Sequence, residues 1–172
     1  MAILARINYQ ILDLKKLFKR GRDVAISNYL DEQLVLFLDA DTRDAALSAL
    51  VDCLEKAGKL QDKEAFYQAI LQREKIVSTG IGIGVAIPHA KLVGFKDFFI
   101  VVGIQKKRGL EWNALDGSQV RLIFMIGGPE NKQTEYLKIL SHLTMAIKDE
   151  ERRKKLLKAT TPHDIIQLFS GC

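Results

Sequence analysis

AILQREKIVSTGIGIGVAIPHAK, residues 69–91, changes character halfway along its length. Its beginning continues a helix that Asp62 caps and that runs to about Arg73, with Phe66, Ala69 and Ile70 on the inner face. After Glu74, glycines and small apolar residues lead to a Pro-His pair, which reads as a loop feeding a short buried strand. A helix that yields to a glycine-spaced loop and then to a strand points to an α/β chain. The flanking sequence extends that reading.

Upstream, QLVLFLDAD (33–41) reads as a strand and a turn, and Asp41 or Thr42 can cap the next helix. In that helix Leu47, Leu50, Val51 and Leu54 fall at i, i+3, i+4 and i+7, and Gly58 supplies the stop. Downstream, FFIVVGIQ (98–105) and QVRLIFMI (119–126) are apolar, β-branched and aromatic runs of strand length, as expected for central strands covered on both faces. Turns follow at Lys106 to Gly109 and at LDG (115–117), and GGPENK (127–132) breaks the chain. Helical spacing returns in NKQTEYLKILSHLTMAI (131–147), with Leu140, Leu143 and Ile147 inward. Two short helices finish the chain, DEERRKKLLKA (149–159) and TPHDIIQLF (161–169), the latter capped by Thr161 with Pro162 at its first position. The expected fold is an α/β single-domain sandwich with a mixed β-sheet flanked by helices. Residues 1–33 form an N-terminal extension and 34–172 the domain.

With 172 residues, 48% of them hydrophobic, the chain holds one buried core. Its net charge of +5 spreads over 26 basic and 21 acidic residues, compatible with nucleic acid or an acidic partner but demanding neither. Residues 1–33 carry six Lys or Arg, yet the segment is short for a helix-turn-helix, and a solvated helix face explains the charge better than nucleic acid does. Cys53 and Cys172 lack metal-ligand or CxxC spacing and read as reduced bystanders. His89, His142 and His163 lack the paired spacing of a metal site, so neither a metal nor a cofactor is expected. No apolar run nears the ~20 residues of a membrane span, and Arg6 interrupts any export signal, which implies a cytoplasmic protein without membrane insertion.

The chemistry gathers in GVAIPHAK (84–91). Gly80, Gly82 and Gly84 permit positive φ and can leave amides open to anionic oxygens, while Pro88 fixes the backbone before His89 at the end of a short strand. A neutral imidazole is an adequate nucleophile, and Arg73 can fold back to pair with phosphate oxygens. Taken singly, these residues read equally as a turn histidine, a flexible loop and a surface charge. Together they suggest an anion-handling site.

The whole run from Ala69 to Lys91 resembles the signature of the type-2 IIA domains, the fructose, mannitol and nitrogen-regulatory branch of the bacterial phosphotransferase system (PTS). Similarity continues through residues 40–70 and 109–129 and into the final helices. The resemblance implies that His89 accepts a phosphoryl group from an HPr-like phosphocarrier and that Arg73 stabilises it. It also implies a second active-site histidine at the start of the helix after the glycine-proline loop. Tyr136 stands there instead, either as a substitute hydrogen-bond donor or as an ordinary helix-face aromatic. His142 lies ~9 Å along and about 240° around that helix and should point away. Three functions stay open: a phosphocarrier with a regulatory role, a sensor that does not relay, and a sugar-specific IIA that donates to a IIB domain.

Overall fold

The structure, a computed structural model, describes residues 24–172, so most of the extension, including the basic cluster at Lys15 to Arg22, lies outside the described residues. Two short 3-10 turns at Ile26–Tyr29 and Glu32–Leu34 lead into β1 (Val35–Leu38), α1 (Arg43–Lys56) and α2 (Lys63–Ile76). Then come β2 (Gly80–Gly82), β3 (Val85–Ala86), β4 (His89–Leu92), β5 (Phe99–Gln105) and β6 (Leu122–Pro129). The chain closes with α3 (Gln133–Lys148), α4 (Glu150–Lys158) and α5 (Pro162–Gln167).

The six strands form one mixed sheet. Its centre is the antiparallel pair β5–β6, with β1 parallel to β5 on one side. On the other side β3 and β4 run one after the other, both parallel to β6, and β2 pairs antiparallel with β3 at the edge. Every residue of β5 and β6 is buried, because their alternate side chains enter two different cores. Ile100, Val102, Ile104, Phe124 and Ile126 meet Ile139, Leu143, Ile147 and Leu156 on one face. Phe99, Val101, Ile123 and Met125 meet Leu47, Leu50, Phe66, Ile70 and Trp112 on the other. Each of the large apolar side chains is worth roughly 1.5–3 kcal/mol when fully buried.

The helix starts follow the caps. Thr42 rather than Asp41 caps α1, its Oγ1 accepting from Ala45 N at 3.1 Å. Asp62 Oδ1 accepts from Ala65 N at 2.9 Å, and Thr161 Oγ1 from Asp164 N at 3.2 Å. Three basic side chains satisfy helix ends: Arg152 and Arg153 donate to the last carbonyls of α3 at Ala146 and Ile147, and Lys106 to Ala159 O beyond α4.

Two details differ from the sequence reading. GGP, expected to break the chain, completes β6, with Gly127 paired to Ala90 on one side and Phe99 on the other. A Cβ on Gly127 would strike the Phe99 ring and one on Gly128 the Phe98 ring, so glycine here permits close packing inside a strand. The inner stripe of α3 is Tyr136, Ile139, Leu143, Ala146 and Ile147, leaving Leu140 half-buried. Ile26 is fully buried, and its amide donates to Cys172 O at 2.8 Å. Among the described residues, no helix is long and apolar enough to cross a membrane.

Candidate functional site

Ile87 and Pro88 separate β3 from β4 along the same side of β6. A proline can sit in that gap because no ladder bond needs its missing amide, and its carbonyl still accepts from Ile126 N at 2.9 Å. His89 therefore begins β4 rather than ending a strand, and its half-buried ring emerges where the sheet meets the C-terminal end of α2.

Two hydrogen bonds fix the imidazole. Its Nδ1 lies 3.0 Å from the Ile87 carbonyl oxygen, which can only accept, so Nδ1 carries the proton. Its Nε2 lies 3.1 Å from Arg73 Nε, whose N–H can only donate, so Nε2 presents a lone pair. Both contacts require the same neutral tautomer. Burial lowers the ring's pKa below its ordinary 6.5, with the Arg73 and Lys91 charges acting in the same direction against the Ile87 bond, which raises it. Arg73 occupies the last turn of α2 and is itself held by donating from Nη1 to Val77 O at 2.8 Å. The result is an unprotonated ring nitrogen with a cation against it, able to attack an electrophile and to hold an anion.

The structure also brings Tyr136 to His89, although they lie 47 positions apart. Their rings are 5.5 Å apart between centroids at 42°, and Phe98 stacks on the tyrosine at 6.2 Å and 29°. Burial pushes the Tyr136 hydroxyl up to about 12, keeping it neutral. Its contact with His89 is through the ring. Lys91, two residues along β4 from His89, places its Nζ 4.5 Å from the centre of the Tyr136 ring and hydrogen-bonds Gln133 in the first turn of α3.

Beneath the histidine lies a polar network that sequence reasoning missed. Glu74 and Thr79 are 5% and 4% exposed, and their side chains bond each other. Thr79 N also donates to Glu74 Oε2 at 3.3 Å, and Trp112 Nε1 to Thr79 Oγ1 at 3.2 Å. Thr79 O in turn accepts from Ile87 N at 3.0 Å, and Ile87 O holds the His89 ring. A chain of contacts thus ties the end of α2 to the imidazole. The available signal was a carboxylate in the last turn of a helix, where the dipole disfavours it unless something holds it.

The glycine segment departs from expectation. Gly82 and Gly84 do take positive φ, of 90° and 76°, but Gly80 does not; there a Cβ would sit 3.0 Å from that of Ala114. Amides of this segment are already taken up by side chains: Gly80 N donates to Ser78 Oγ, and, from the loop before β6, Asp116 Oδ2 accepts from Ile83 N and Ser118 Oγ from Gly84 N. His142 lies on another side of α3, lining a groove with Val24, Ser27 and Cys172, and His163 pairs with Glu32 at 2.9 Å on the surface. Among the described residues, no group of three His, Cys, Asp or Glu side chains is placed to hold a metal ion.

At the start of a strand in this α/β sandwich, a guanidinium-bonded, unprotonated imidazole nitrogen has the geometry to hold an anion. Residues 28–172 match the family described as "Phosphoenolpyruvate-dependent sugar phosphotransferase system, EIIA 2", and the chain belongs to that family. It is 38% identical over 135 residues to the PTS system fructose-specific EIIABC component of Bacillus subtilis, covering 78% of this chain and 21% of that one. The chain thus spans about a fifth of that relative's length. The crystal structure of nitrogen regulatory protein IIA-Ntr from Neisseria meningitidis matches with a TM-score of 0.78 at 25% identity, covering 85% of this chain and 99% of that one. Mannitol enzyme IIA of Escherichia coli, solved in complex with phosphorylated mannitol enzyme IIB, shares the fold with a TM-score of 0.70 at 22% identity, covering 83% of this chain and 98% of that one.

Proposed function

We propose that this chain is a cytoplasmic IIA phosphocarrier in which Nε2 of His89 accepts a phosphoryl group from an HPr-like protein and Arg73 stabilises it. The observation that carries this reading is the tautomer lock, which leaves Nε2 alone as the nucleophile. As the Nε2–P bond forms, the donor's N–P bond breaks and its electron pair returns to the donor's ring nitrogen. No proton has to move, because Nδ1–H stays on Ile87 O throughout. Arg73 Nε, which occupies the Nε2 lone pair in the resting site, shifts to the equatorial phosphoryl oxygens, where a guanidinium binds bidentately. The exposed apolar side chains of Ile76 and Val77, directly after the Arg73 turn, suit a protein donor that docks over the site.

A regulatory role is favoured over sugar relay. Tyr136 stands where the resemblance implies a second histidine that orients the imidazole or steadies the phosphate, and its hydroxyl is held neutral, so onward transfer is slowed. The same observation supports a second reading, a sensor that loads without relaying. Incubation with phosphoenolpyruvate, enzyme I and HPr, followed by intact-mass analysis, tests the site: His89→Ala abolishes loading, and loading retained in that variant overturns the assignment. Chase of the loaded protein with a IIB domain separates the readings, since rapid transfer refutes the sensor. Tyr136→His accelerates that transfer if the parent is impaired as a relay.

A further inference from the structure

We infer that Lys91 is a second phosphoryl-binding cation at this site and that Tyr136 serves as the platform that aims it, an inference that rests on the His89 reading above.

His89 and Lys91 are alternate residues of β4, so their side chains leave the same face of the strand, about 6.6 Å apart along it. A lysine there would ordinarily extend into water on four flexible bonds. This one is folded back and held at two points: the ammonium lies over the Tyr136 ring at 4.5 Å, and Gln133 accepts from it. The same tyrosine ring packs against the imidazole, with 5.5 Å between ring centroids. Lys91, Gln133 and Tyr136, from β4 and α3, thus hold a positive charge over a ring that itself packs on the imidazole, while Arg73 reaches that imidazole from α2. Partial burial lowers the lysine's pKa, countered by Glu130, which is consistent with an ammonium that exchanged some water for an aromatic face.

The arrangement gives Tyr136 a role that does not use its hydroxyl. A dianionic phosphoryl group on Nε2 draws the ammonium off the ring and onto a peripheral oxygen, and the ring keeps the lysine within reach while the site is empty. The charged groups facing the imidazole are then Arg73 and Glu74 from α2 and Lys91 from β4, with the neutral Tyr136 from α3.

Loading rates of Lys91→Gln, Lys91→Arg, Tyr136→Phe and Tyr136→Leu, measured with enzyme I, HPr and phosphoenolpyruvate, test the assignment. Loss of one charge-assisted hydrogen bond slows Lys91→Gln by about 10- to 100-fold, whereas Lys91→Arg stays within about threefold of the parent. Tyr136→Phe behaves as the parent, because the ring is what matters, and Tyr136→Leu loses rate as Lys91→Gln does. NMR titration of the His89 ring in the unphosphorylated variants provides a readout independent of loading: removal of the facing charge in Lys91→Gln raises the imidazole pKa, and Lys91→Arg does not. If the parent loads, His89→Ala does not, and Lys91→Gln matches the parent, the lysine assignment is overturned while the acceptor reading stands. If Tyr136→Phe fails as badly as Tyr136→Leu, the platform is wrong and the hydroxyl is the working group. If His89→Ala loads like the parent, the acceptor reading fails. An unchanged His89 titration in Lys91→Gln refutes the placement of the charge even in a protein that does not load.

Discussion

Glu74→Gln changes one atom of the buried network and should cost more than its size suggests. In the parent, one carboxylate oxygen takes the Thr79 hydroxyl and lies 3.4 Å from Trp112 Nε1, and the other takes Thr79 N at 3.3 Å. Glutamine can keep its carbonyl on the first oxygen's site, but its amide NH2 then faces the Thr79 N–H, donor against donor. One buried donor left without an acceptor costs about 1–3 kcal/mol. Taking about 2 kcal/mol lowers Tm by roughly 4–8 °C for a chain of this size. Glu74→Leu orphans both the Thr79 amide and its hydroxyl hydrogen and costs about 2–6 kcal/mol on the same scale. Trp112 is the single tryptophan, fully buried and bonded into the network, so its fluorescence reports the transition in a urea melt. The two variants should fall in that order. A Glu74→Gln protein within about 0.5 kcal/mol of the parent, well inside the range of ordinary surface substitutions, would show that the network does not hold α2 to the loop.

Other perturbations follow from the same geometry. Arg73→Met removes a charge that lowers the His89 pKa, so NMR titration should find the imidazole pKa raised, and an unchanged value contradicts the 3.1 Å contact. The folded His89 binds its proton less readily than the unfolded chain does; it therefore stabilises the fold above about pH 6.5, and that stabilisation is lost as pH falls through its lower folded pKa. His89→Asn should flatten the stability profile on the acid side of pH 6.5, and an identical slope rules the contribution out. Gly128→Ala overpacks the Phe98 ring and should lower stability by about 1–3 kcal/mol, with the Phe98–Tyr136 stack visibly shifted by NMR. Bonds from Ser118 and from the Ile83 amide pull the Asp116 carboxyl down to about 2, and Ile83 is held at a φ of 54°. Its amide should keep its hydrogen-exchange protection down to about pH 3 and lose it as pH falls through 2; Asp116→Ala should lose it at every pH.

The unbroken apolar runs of β5 and β6 and the 3.6-residue stripes of α1 and α2 made the sandwich legible in the sequence, because run length and periodicity report burial without reference to a partner. Caps were legible for the same local reason, as Thr42, Asp62 and Thr161 each bond an amide three residues on. His89 and Arg73 could be singled out from the run of residues around them. Tertiary structure decided what those residues do to each other. GGP became strand rather than break because Phe98, Phe99 and β4 close on it from elements the local pattern does not contain. The hairpin amides became internal because Asp116 and Ser118, more than thirty residues away, reach them first. The proton on Nδ1, the lone pair on Nε2 and the lysine drawn over Tyr136 depend on distances of a few ångströms between three elements. Such distances are set by how layers pack, so the sequence determined the residue and the fold fixed its chemistry.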